Sequence, residues 1–161
     1  MLIPIYIAAP FADAALVREV GARLPAFGAE SRSTWAECAD GPEQLEAMTP
    51  DEVRSVAAAN DRDLLASFAL VVLSRDGAGG EMFAEARLAL EYGIPIVWVG
   101  KRRPLSAYRE GVIRVDTIED ALDLVRRFSE CVRQPFPVDD EWARDTLWSY
   151  VEIFAASKEA A

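Results

Sequence analysis

The stretch "ALVVLSRDGAGGEMFAEARLALEYGIPIVWVG", residues 69–100, reads as strand, glycine loop, helix and strand in turn. Ala69–Ser74 is a short, nearly unbroken apolar run, the pattern of a strand covered on both faces. Gly77, Gly79 and Gly80 then open a segment, Gly80–Tyr92, whose apolar positions repeat at helical spacing. Gly93 stops the helix, and Pro95 leads into a second buried-type strand, Ile94–Val99. Two such strands joined by a helix of this length predict a βαβ unit and a parallel sheet.

The same alternation continues on both sides. Upstream, Leu2–Ala9 is an apolar strand ended by Pro10, and Asp13–Phe27 is a helix carrying Leu16, Val17, Val20 and Leu24. Glu30–Trp35 reads as a second strand, and Gly41–Pro42 breaks the chain. Thr49, Pro50 and Glu52 form a capping box that starts a helix running to about Ser67. Downstream, Val112–Val115 is a short strand, and Thr117 caps a helix over Ile118–Val132 with Glu119 and Asp120 in its first turn. After Pro135 and Pro137, Asp139 or Asp140 caps a last helix reaching about Ser157. The expected fold is a single-domain, doubly wound α/β sheet of flavodoxin or Rossmann type, about five mainly parallel strands with an extra C-terminal helix.

Composition narrows the chemistry. The chain has 161 residues, 52% of them hydrophobic, enough for one domain with its own core. Its apolar runs are too short to span a bilayer, and no basic region precedes the first strand, so neither a membrane span nor a signal peptide is expected. Cys38 and Cys131 stand far apart without a C-x-x-C, which suits a reducing cytoplasm and speaks against disulfides or a zinc ribbon. A net charge of −10 disfavours nucleic acid as a partner. There is no histidine, which removes Ser-His-Asp and Cys-His catalysis and histidine metal sites. Acid–base work falls to carboxylates, Tyr, Lys or Cys.

Ligands of open α/β sheets bind beyond the carboxyl ends of the strands. Those ends bring Ala8, Pro10 and Phe11, then Trp35, then the loop with Asp76, Gly77, Gly79 and Gly80, to one edge. The loop is neither a Walker A loop, lacking Gly-Lys-Ser/Thr, nor a G-x-G-x-x-G. It is a tight turn or a cradle of N–H groups for an oxyanion or a sugar hydroxyl. Glu81 and Glu85 stand one turn apart at the start of the next helix: either a solvated acidic face, or a carboxylate suited to nucleophilic attack. Tyr6, near the end of the first strand, is a core aromatic or a phenol that orients a carboxylate. Asp63 is a surface acid or one facing the sheet's end. Trp35 is a packing residue or a platform for a base. Lys101, Arg102 and Arg103 form a solvated loop or meet a phosphate, as does Arg75. Trp142, Trp148, Tyr150 and Phe154 suggest a packing or dimer stripe.

Taken in order, these segments resemble the nucleoside 2-deoxyribosyltransferases and related nucleotide N-glycosidases. "IYIAAPF", residues 5–11, is similar to their opening strand and turn, and "NDRDLL" with "ALVVL" to their acid-bearing helix and next strand. "GAESRSTW", residues 28–35, and "RVDTIEDAL", residues 114–122, resemble their second strand and late strand–helix. Glu85 is followed eight and ten residues on by Gly93 and Pro95, as the family's nucleophile is. The resemblance implies Glu85 as nucleophile, Tyr6 orienting it and Asp63 assisting the leaving base. It implies a nucleoside or nucleotide substrate with a free nucleobase as second partner, no cofactor, and a homodimer or larger assembly. Sugar transfer between bases is the expected activity, with hydrolysis of a nucleoside 5′-monophosphate as the alternative. Gly79 stands where many members carry an acid, and Arg87 where a small residue is usual; these two positions support a third reading, a non-catalytic nucleotide-binding module.

Overall fold

Five strands pair in the order β2-β1-β3-β4-β5, every neighbouring pair parallel, in a computed structural model that describes residues 2–38, 47–74, 81–100 and 105–132. The strands are β1 (Ile3–Ala8), β2 (Ala29–Ser31), β3 (Ala69–Leu73), β4 (Ile96–Val99) and β5 (Val112–Val115). The helices among them are α1 (Ala14–Arg23), α2 (Trp35–Cys38), α3 (Pro50–Leu65), α4 (Glu81–Glu91) and α5 (Ile118–Val132). This is the flavodoxin-like 2-1-3-4-5 order. It reverses between β1 and β3, which opens a crevice at the carboxyl ends of those two strands.

Both faces of the sheet are covered, which is why β3 and β4 are buried along their whole length. Ile7, Val71 and Leu73 point towards Val20 and Leu24 on one side of the chain and Leu122 and Val125 of α5. On the opposite face Trp98 of β4 stacks on Phe83 of α4, with ring centroids 5.9 Å apart. Tyr6 of β1 reaches α4 on that same face. α5 buries Leu122, Val125, Phe128 and Val132 and turns Arg126, Arg127 and Glu130 to solvent, where Arg126 pairs with Asp123 and Glu130. Among the described residues no helix is long and apolar enough to cross a membrane.

The local signals act as their chemistry requires. The Thr49 hydroxyl accepts from the Glu52 backbone N–H while the Glu52 carboxylate accepts from the Thr49 N–H at 2.7 Å, so the capping box is complete. Thr117 caps α5 by accepting from the Asp120 N–H at 3.1 Å. Gly93 takes a positive φ of 69° after α4. Gly100, at φ 120°, lies so close to β3 that a Cβ there would stand 2.6 Å from the Ser74 carbonyl oxygen.

Several expected elements differ, among them the strand read as Ile94–Val99, which begins at Ile96. The first helix is α-helical only over Ala14–Arg23, between 3₁₀ turns at Phe11–Asp13 and Leu24–Phe27. The helix expected to reach Ser67 ends at Leu65. The second strand stops at Ser31 instead of continuing to Trp35, because a side chain replaces its backbone in the ladder. The Ser33 hydroxyl accepts from the Ile7 N–H at 2.6 Å and donates to the Ile7 carbonyl at 3.0 Å. Trp35 therefore opens α2 and does not end a strand. The C-terminal helix expected over 139–157 lies outside the described residues.

Candidate active site

Tyr6 is buried completely, with Leu70 of β3 as its ladder partner. Its hydroxyl donates to Glu85 Oε1 at 2.7 Å. α4 makes that contact possible by its phase. Met82, Ala86 and Ala89, at helical spacing, are buried, and Glu85 flanks this stripe half-buried, one turn in from the helix start. The partial positive charge of a helix N-terminus favours a carboxylate in this region.

The Tyr6 phenol is pushed far above its ordinary value. Burial is the first cause, the charge of Glu85 and its hydrogen bond come next, and the charges of Asp63 and Asp61 add to them. Tyr6 thus stays protonated and remains a donor throughout the physiological range. A phenol held protonated against a carboxylate fixes which Glu85 oxygen is engaged.

Beside this pair a cleft of about 180 Å³ opens between α3 and α4. α3 lines it with Val53, Val56, Ala57, Asn60 and Asp61, one face at i, i+3, i+4, i+7 and i+8. Phe11 contributes from the turn after β1, and Ala84 and Glu85 from α4. The cleft is apolar at the α3 valines and polar where Asn60, Asp61 and Glu85 meet it. That division suits a flat, weakly polar ring with a polar reacting end.

Asp63 is not among the side chains that line this cleft. It is half-buried, its carboxylate accepts from the Thr34 hydroxyl, and its carbonyl accepts from Ser67 Oγ at 2.8 Å. Two residues along an α-helix turn the side chain through about 200°, so Asp61 and Asp63 cannot share one face. Both still lie close enough to Tyr6 for their charges to act on it.

The remaining expected positions divide between the site's wall and the segments outside the description. Ala8 is buried at the end of β1. Pro10 accepts from the Asp13 N–H at 2.7 Å and so starts the 3₁₀ turn that presents Phe11. The Phe11 ring stacks on Trp35 with centroids 5.9 Å apart, and Trp35 Nε1 donates to the Ile7 carbonyl at 3.3 Å. Trp35, 7% exposed, therefore backs Phe11, and Phe11 forms the cleft wall. Glu81 opens α4, but its side chain lies outside the described residues, as do Arg75, Asp76, Gly77, Gly79, Gly80 and Lys101–Arg103. Asn60, Asp61, Val53, Val56 and Ala57 were not expected at the site. Their i, i+3, i+4 spacing was the available signal, but apolar periodicity of this kind also marks ordinary packing. Among the described residues no three His, Cys, Asp or Glu side chains cluster as a metal site.

No family model and no curated protein matches the chain.

Proposed function

We propose that the protein cleaves the N-glycosidic bond of a nucleoside or 2′-deoxynucleoside and transfers the sugar to a second base. One observation carries the reading: a protonated Tyr6 holds Glu85 at 2.7 Å beside a cleft with an apolar wall. The Glu85 carboxylate attacks the anomeric carbon, forming a C–O bond as the C–N bond breaks. The bonding electron pair leaves with the base, and Asp61, on the cleft face of α3, supplies the proton that the base nitrogen takes up. Nitrogen of a second base then attacks the same carbon, releasing Glu85 and returning the proton. The base stacks along Phe11 and the α3 valines. Asp63, fastened by Thr34, acts through its charge on Tyr6 and not by touching the base.

Incubating a panel of nucleosides and nucleoside 5′-monophosphates with and without a second free base, followed by chromatography, tests this. Exchange of bases is the expected result. Free sugar as the main product, with or without the second base, would select the hydrolase instead. Unchanged substrates across the panel would refute glycosyl chemistry.

A further inference from the structure

Asn60 carries a polar atom that the fold leaves without a partner. Its Oδ1 is closed off from solvent and finds no hydrogen-bond partner among the described residues, although the residue lines the cleft directly before Asp61. A buried acceptor left without a donor is costly to the fold. Trp98 Nε1 shares this condition, but it lies inside the core against Phe83, away from the lining of the cleft. The described neighbours of Asn60 in the cleft cannot satisfy it. Val53, Val56 and Ala57 carry no side-chain donor, and no hydrogen bond joins Asn60 Oδ1 to the Asp61 or Glu85 carboxyl. The torsion that turns an Asn amide is broad and cheap to rotate, so Oδ1 swings into the cleft at little cost.

We infer that Asn60 determines base specificity: its Oδ1 accepts a hydrogen bond from an exocyclic amino group, so that the cleft prefers an amino-bearing base. Adenine presents the matching edge, with the N7 acceptor beside the N6 amino donor. On α3 the two polar residues stand in that order: Asp61 delivers the proton to a ring nitrogen, and Asn60 receives the amino N–H. This inference rests on the glycosyl-transfer reading for its ligand class, and it adds which base edge is read.

Binding of free adenine and of free unsubstituted purine, measured by calorimetry, tests the contact without turnover. Adenine is expected to bind wild type at least about tenfold more tightly than purine, the loss of one hydrogen bond to a buried acceptor. Asn60→Leu should erase that difference, so that adenine and purine bind alike. Asn60→Ala repeats the test should the leucine variant fail to fold, and melting curves of both variants report folding. Equal binding of the two bases, no binding of either, tighter binding of hypoxanthine than adenine, or a preference that survives in the variants would overturn the inference. Kinetics with 2′-deoxyadenosine and purine 2′-deoxyriboside separate it from the function on which it rests. Turnover of both with equal KM would sink the role of Asn60 and leave glycosyl transfer standing. An adenine preference that Asn60→Leu abolishes, without turnover of any nucleoside, would sink glycosyl transfer and leave Asn60 as a base-reading group.

Discussion

The Tyr6 hydroxyl and the Glu85 carboxylate, 79 residues apart in sequence, meet at 2.7 Å across the crevice side of the sheet. Tyr6→Phe removes the donor while keeping the ring that fills the core. The variant should fold, lose about 1.5 kcal/mol of stability for a hydrogen bond to a charged group, and lower kcat by about tenfold or more. Its pH dependence should change too. The folded-state pKa of Tyr6 is raised, so below 10.0, the ordinary tyrosine value, both folded and unfolded states hold the proton and its stabilisation is complete. Above 10.0 the unfolded chain releases the proton first, and stability falls as pH rises. Denaturant titrations of wild type and Tyr6→Phe from neutral to strongly alkaline pH should show a shallower alkaline decline in the variant. Parallel curves would mean that Tyr6 does not titrate as its burial demands.

Glu85→Gln keeps the size of the side chain and removes the nucleophile. Turnover should fall by about 10³-fold or more with the melting temperature nearly unchanged. Glu81→Gln, one turn earlier in α4, should retain most of the activity. Mass spectrometry of wild type quenched during turnover should find the sugar on the peptide containing Glu85. A sugar-bearing peptide without Glu85, or an essential Glu81, would move the chemistry by one turn.

The two aspartates of α3 should separate in kinetics. Asp61→Asn should reduce kcat by about 10²-fold, most severely for substrates whose base leaves poorly. Substrates with activated leaving groups should recover much of the loss. Asp63→Asn leaves a side chain able to accept from Thr34 and should cost less than tenfold in kcat, about 1.4 kcal/mol at most. The reverse ranking would return the leaving-group role to Asp63.

Assembly is testable on the segment beyond the described residues. Leu147, Trp148, Val151 and Phe154 fall at helical spacing in the sequence, the signature of an apolar face that needs covering. Light scattering is expected to give a dimer or larger assembly, and removal of the residues after Pro137 should reduce both mass and activity. A fully active wild-type monomer at assay concentration would exclude a site shared between subunits.

Periodicity and punctuation were enough to locate most of the elements. β5 and α5 follow the spans read from the sequence, because an alternating or a helical apolar pattern with a capping threonine admits few other placements. The parallel sheet also follows from local signals, since strands joined through helices have little choice but to run the same way. Tyr6, Glu85 and the turn at Phe11 stood out as candidates from their positions at strand and helix ends.

Tertiary structure decided what those signals left open. The strand order, with its reversal between β1 and β3, depends on which buried faces meet, and nothing in a single strand records its neighbour. The end of β2 was decided by a distant residue pair, because the Ser33 hydroxyl takes both hydrogen bonds of Ile7 that a longer strand would have made. Which aspartate of α3 lines the cleft was decided by the roll of that helix. Leu64 is the one buried residue of that helix, so core burial pins its roll at a single position. Contacts with the rest of the fold set the roll, turning Asn60 and Asp61 into the cleft and Asp63 to Thr34. Local sequence specifies backbone states through short-range sterics and hydrogen bonds; the facing of a side chain at a site is set by the packing of elements far apart in the chain.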